Sequence, residues 1–95
     1  MNKEQSIKEL STIPGVGKSI ANDLWDINIK SISDLKDRSP ENLYDLSNRK
    51  TGVVQDRCLL YVFRCAIYFA NTPNWQQEKD KLKWWNWKDE KIDLK

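Results

Sequence analysis

The chain has 95 residues, of which 39% are hydrophobic and 32% charged, with a formal net charge of +2. This length suits one domain with a thin core, and the dispersed charge excludes a disordered chain. The near balance of charge also excludes the strong basic excess typical of tight nucleic-acid binders.

Five Trp, three Tyr and two Phe supply large buried areas per residue. The first residues, Met1-Asn2-Lys3-Glu4-Gln5, are not followed by an apolar run. The most apolar stretch, residues 58–70, is short and contains Arg64. Neither a secretion signal nor a membrane span is expected, and the expected location is cytoplasmic.

A first helix is expected over residues 2–11, with Ile7 and Leu10 facing inward. Pro14 stops it, because the residue before a proline is pushed out of the helical region. A second helix starts near Lys18 and carries Ile20, Ala21, Leu24, Trp25 and Ile27 at helical spacing. Asn28 ends it in a left-handed conformation. Ser31, with Asp34 three residues on, reads as a capping box for a short third helix. Ser39-Pro40 starts a fourth, with Leu43 and Leu46 on its inner face.

Lys50-Thr51-Gly52 breaks that helix, and a fifth over residues 53–71 should be long and central, since it is apolar almost all round. Thr72-Pro73 ends it. Residues 75–83 read as a charged sixth helix, after which Trp84, Trp85 and Trp87 pack back onto the body. The last residues should fray. No segment alternates like a strand. The expected fold is all-α, a single domain of five main helices over 1–95 with a Trp-rich C-terminal extension over 73–95.

Cys58 and Cys65 lie seven residues apart, about two helical turns or roughly 10 Å, too far to pair within one helix. Without His, a zinc site would need unusual ligands, so both are expected in the core. Arg57, Tyr61, Arg64 and Tyr68 form one stripe on the fifth helix. Such a stripe either stacks bases or ties the helix to another segment, and the Trp-rich extension is the natural partner.

The most specific local pattern is Ile13-Pro14-Gly15-Val16-Gly17-Lys18-Ser19. Two glycines allow positive φ and leave no side chain over the backbone. Ile13 and Val16 can tuck between helices and hold the turn rigid. The N–H groups of Gly15, Val16, Gly17, Lys18 and Ser19 then gather at a helix start, where the dipole is positive and anions bind. Lys18 adds a full charge and Ser19 a hydroxyl.

Residues 10–35 resemble a helix-hairpin-helix motif of the kind found in repair polymerases, ligases and nuclease subunits. The stretch Asn28-Ile29-Lys30-Ser31-Ile32-Ser33-Asp34-Leu35 is similar to the segment after the hairpin in family X DNA polymerases. The resemblance implies a hairpin at 13–18 that grips phosphates of DNA. It also implies that the carbonyls of Ser11, Ile13 and Val16 hold an alkali cation, K+ or Na+. No other cofactor is implied.

The chain as a whole resembles a small bacterial helix-hairpin-helix family labelled pathogenicity locus. The carrying residues include Asp23-Leu24-Trp25, Asp56-Arg57-Cys58, Tyr61-Val62-Phe63-Arg64-Cys65-Ala66 and Lys83-Trp84-Trp85-Asn86-Trp87. That resemblance implies a SAM-like, tandem helix-hairpin-helix domain and brings no established activity.

A degenerate second hairpin is expected at 49–53, where Arg49, Lys50, Thr51 and Gly52 can reach phosphate from the same side. An ordinary exposed basic turn is the competing reading.

The glycosylases that share a Pro-Gly-Val-Gly hairpin place a catalytic Lys second after the last glycine. Here Ser19 holds that position, Lys18 precedes it, and Asp34 lies at only roughly the matching distance. The chain lacks iron–sulfur cysteines and the length for a flipped-base pocket. Without His there is no Ser/His/Asp set. The expectation is a non-enzymatic module that binds DNA through its backbone. The alternative is a protein-contact or scaffold module.

Overall fold

The computed structural model describes residues 2–89. Four α-helices carry the fold: α1 (Lys3–Leu10), α2 (Lys18–Asp26), α3 (Pro40–Thr51) and α4 (Arg57–Asn71). Short 3-10 turns follow α2 at Ile32–Leu35, and follow α4 at Asn74–Gln76, Lys79–Leu82 and Trp84–Trp87. No strand occurs among the described residues. No helix among them is long and apolar enough to cross a membrane. The expected fraying of the last residues lies outside the described residues.

Each helix starts and stops for a local reason. Asn2 caps α1: its Oδ1 accepts the Gln5 N–H at 2.9 Å, and the Gln5 side chain accepts the Asn2 N–H at 3.3 Å. The Ser39 hydroxyl oxygen accepts the Asn42 N–H at 3.2 Å, with Pro40 in the first turn of α3. Beyond α2, Asn28 sits at φ 72°, so the Ile29 N–H reaches the Leu24 carbonyl and the Asn28 N–H the Trp25 carbonyl. This is a Schellman closure, and Ile29 is fully buried beside it.

α4 is the central helix. It packs against α3, the 3-10 turn at Ile32–Leu35 and the Trp-bearing turn. Its eight buried residues include Leu60, Phe63, Cys65 and Ala66. Leu10, Leu24, Leu35 and Leu43 come in from the surrounding elements. Fully burying a side chain of this size contributes about 1.5–3 kcal/mol, and Phe63 is 0% exposed.

Four expectations change. The central helix begins at Arg57, not at residue 53, because Asp56 accepts the Cys58 N–H at 2.8 Å and sets the start. The segment before it is held extended by α3: the Gln55 N–H donates to Asn48 Oδ1 at 2.9 Å, and the Tyr44 hydroxyl donates to the Gln55 carbonyl. Val53 and Val54 are left outside, 62% and 84% exposed.

The third expected helix is a single 3-10 turn without a capping box. Asp34 accepts the Lys30 N–H at 2.9 Å, while Glu9 of α1 takes the Ile32 N–H at 2.7 Å. Residues 75–83 form two 3-10 turns and no α-helix, since no apolar face runs through them. Finally, Cys58 is exposed and only Cys65 is buried. Cys58 sits in the first turn of α4, beyond the edge of the core.

Candidate functional site

The turn between α1 and α2 is built tightly from its own backbone. The N–H groups of Thr12, Ile13 and Val16 donate to the carbonyls of Glu9, Leu10 and Ile13 at 3.0–3.1 Å. Ile13 and Val16 are 1% and 4% exposed, so their side chains anchor the turn to the core. Because the Val16 N–H closes the turn on Ile13, Val16 shapes the turn and offers no free amide.

The two glycines play different parts. Gly15 lies at φ 86°, the left-handed region. A methyl group built on it would meet Trp84 Cδ1 at 3.1 Å, so an indole lies directly against the turn. Gly17 is the N-cap of α2 at φ −91°, a conformation open to any residue. The expected positive φ therefore applies at Gly15 alone. Beyond its chain neighbours, no atom lies within 4 Å of the position a Gly17 Cβ would take.

α2 also starts without a side-chain cap, unlike α1, α3 and α4, which use Asn2, Ser39 and Asp56. The N–H groups in its first turn, those of Lys18, Ser19 and Ile20, are orphans of the helix start. Lys18 and Ser19 are exposed. No acidic residue stands in that first turn. A groove of about 720 Å³ adjoins it, lined by Lys3, Lys8 and Lys18 with Glu4, Ile7 and Ser11. Three lysines against one glutamate make this end of the molecule locally positive.

The Ser11, Ile13 and Val16 carbonyls all belong to this one turn. They are neutral hard oxygen donors of the sort an alkali cation takes, although Ile13 already accepts the Val16 N–H. No group of three or more Cys, Asp or Glu able to hold a metal ion occurs among the described residues.

The turn at 49–53 is built differently. Arg49 pairs with Asp45 at 3.0 Å along the exposed face of α3. The Thr51 hydroxyl faces the backbone carbonyls of Ser47, Asn48 and Val53. Gly52, at φ 77°, ends α3 and donates its N–H to Asn48 at 2.9 Å. The next helix start is occupied by the Asp56 carboxylate, whose pKa is lowered chiefly by the Cys58 backbone N–H. Arg49 and Lys50 border Asp26 and Ile27 at the end of α2, whereas Lys18 stands at its start. The nine residues of α2, at 1.5 Å each, separate its two ends by about a dozen ångströms.

The stripe on α4 is bound to the C-terminal extension. Asp89 takes Arg57 at 2.6 Å and Arg64 at 2.9 Å, and Arg64 also reaches Glu41 at 3.1 Å and the Trp87 carbonyl at 2.9 Å. The two guanidiniums, Arg64 foremost, hold the Asp89 carboxyl below the usual range. Tyr68 packs its ring on Trp87 and accepts the Glu78 N–H. These side chains tie helix to extension and are not laid out as a free surface.

Cys65 Sγ lies 3.5 Å from the Lys81 carbonyl and 3.9 Å from that of Pro14, joining extension, helix and turn. Burial pushes its thiol up to about 11. The Asp56 side chain raises that of Cys58. Neither thiol is primed for nucleophilic chemistry. The place of Trp84 against Gly15 has no local sequence signal, because the two meet only through the packing of the extension on α4.

Comparison with curated proteins and with solved structures gave no match. The family model described as Cdd1, pathogenicity locus, matches residues 3–92, nearly the whole length, and the chain belongs to that family.

Proposed function

We propose that α1, the 11–17 turn and α2 form a helix-hairpin-helix that binds nucleic acid, DNA in the first place, by its phosphates and without reading sequence. The observation that carries this reading is the uncapped start of α2. Three other helix starts are closed by their own side chains, while this one is opened by a glycine, flanked by an exposed lysine and free of acidic residues. An incoming phosphate oxygen would complete the orphan N–H groups of Lys18 and Ser19, and the helix dipole favours its charge. Gly15 shapes the approach, and Lys18 supplies a counter-charge.

An alkali cation on the Ser11, Ile13 and Val16 carbonyls would add positive charge beside the same phosphate. The 49–53 turn is secondary in this reading, since its next helix start carries a carboxylate. No catalytic step belongs to the proposal.

The test is a binding titration by fluorescence anisotropy at several salt concentrations. Lys18→Ala should weaken binding equally on unrelated sequences and reduce the salt slope by about one. Gly17→Val keeps that charge, fits its φ and places its Cβ in open space. It should fold normally and still bind more weakly than Lys18→Ala, because a branched side chain stands where the phosphate approaches. A wild-type chain that binds no nucleic acid at low salt ends the proposal.

A further inference from the structure

An exposed indole stands one ring away from the turn to which phosphate binding is assigned. Trp84 lies against Gly15, and Trp85 meets Trp84 edge-on with ring centroids 5.8 Å apart. The two rings differ in exposure. Trp84 is packed against the core, whereas Trp85 is 49% exposed. Packing thus accounts for the first ring and leaves a large part of the second in solvent. A single ring, that of Trp84, stands between Gly15 and Trp85, and Lys83 precedes the pair.

We infer that Trp85 is a stacking platform for an unpaired base, so that the preferred ligand is a single-stranded nucleic-acid segment, such as a strand end or a gap, over an intact duplex. This inference rests on the reading of the α2 start as a phosphate site. A phosphate held at the turn places the neighbouring nucleotide near the indole. A base in single-stranded form has a free π-face to offer, while a paired base is already stacked on its neighbours. Aromatic stacking tolerates any base, in keeping with a site that reads no sequence. Trp84 fixes the platform: its edge contact limits how Trp85 can turn, which lowers the ordering cost of stacking.

Dye-labelled oligo-dT, oligo-U and a DNA duplex of equal length are titrated with the wild type, Trp85→Ala, Trp85→Phe and Lys18→Ala at low salt. Wild type should bind single strands more tightly than duplex. Trp85→Ala should weaken single-strand binding about five- to one-hundred-fold and leave duplex binding within about twofold, with Trp85→Phe retaining most of the affinity. A loss on oligo-dT alone identifies the strand as DNA, and on oligo-U alone as RNA; either supports the inference. Circular dichroism checks that the variants fold. Equal single-strand affinity for wild type and Trp85→Ala, or a wild-type preference for duplex, overturns it. If Lys18→Ala weakens binding and Trp85→Ala does not, the phosphate reading stands and the stacking inference alone falls. If wild type binds none of the three, both fall.

Discussion

Two turns in this chain join consecutive α-helices through a glycine in the left-handed region, Gly15 before α2 and Gly52 before α4. In the first, the apolar residues Ile13 and Val16 point inward and the next helix opens on Gly17. In the second, the apolar residues Val53 and Val54 point outward and the next helix opens on Asp56. A left-handed glycine is therefore common to both turns and does not set the proposed phosphate site apart. In the proposed reading the residue at the following N-cap sets them apart, because a side-chain carboxylate there both uses the free N–H groups and would repel a phosphate. Basic residues stand near both turns, so local charge alone does not separate them.

The largest expected effect comes from making the first turn resemble the second. Gly17→Asp gives α2 its missing cap, which should raise stability by a few tenths of a kcal/mol, visible as a higher urea midpoint. The same change should lower nucleic-acid affinity by more than tenfold in an anisotropy titration. Loss of binding together with gain of stability is the signature of an N-terminus left open for a ligand. Unchanged binding would break the comparison.

Next comes the shape of the turn. Gly15→Ala adds a methyl group at positive φ and against Trp84. It should cost more than about 1 kcal/mol, read from denaturant unfolding. Gly52→Ala should cost less, since the left-handed strain is shared but no atom crowds that position.

The smallest effect concerns the cap of the second turn. Asp56→Ala should lower the melting temperature at pH 7 and should not weaken nucleic-acid binding. The Asp56 carboxyl is held below its usual range in the folded chain. Its contribution is present above the unfolded carboxylate pKa and is lost as pH falls through the lower folded value. The melting curves of wild type and variant should therefore converge in acid.

Helices whose ends are marked locally were legible from the sequence. Ser39-Pro40, Asn28 and Pro14 act where their chemistry says they should. Boundaries set by other segments were not. The apolar pair Val53-Val54 reads as helix until Gln55 is anchored to α3, although Asp56 ahead of an apolar run was an available N-cap signal. Cys58 and Cys65 share a face by spacing, but spacing does not say where along the helix the core ends. The motif around Gly15 and Gly17 identifies the turn, while only the backbone angles divide the roles of the two glycines. The partners of Arg57 and Arg64 depend on Asp89, which lies far along the chain.

The contact between Gly15 and Trp84 has a consequence for synthesis. The turn leaves the ribosome well before the indole that packs against it, so a nascent chain carries α1 and α2 for a time without the wall that backs their junction. Such distant closures raise contact order, which slows folding relative to a bundle held by neighbouring contacts. The nascent α1–α2 pair is then open to chaperones and proteases until the turn that carries Trp84 arrives.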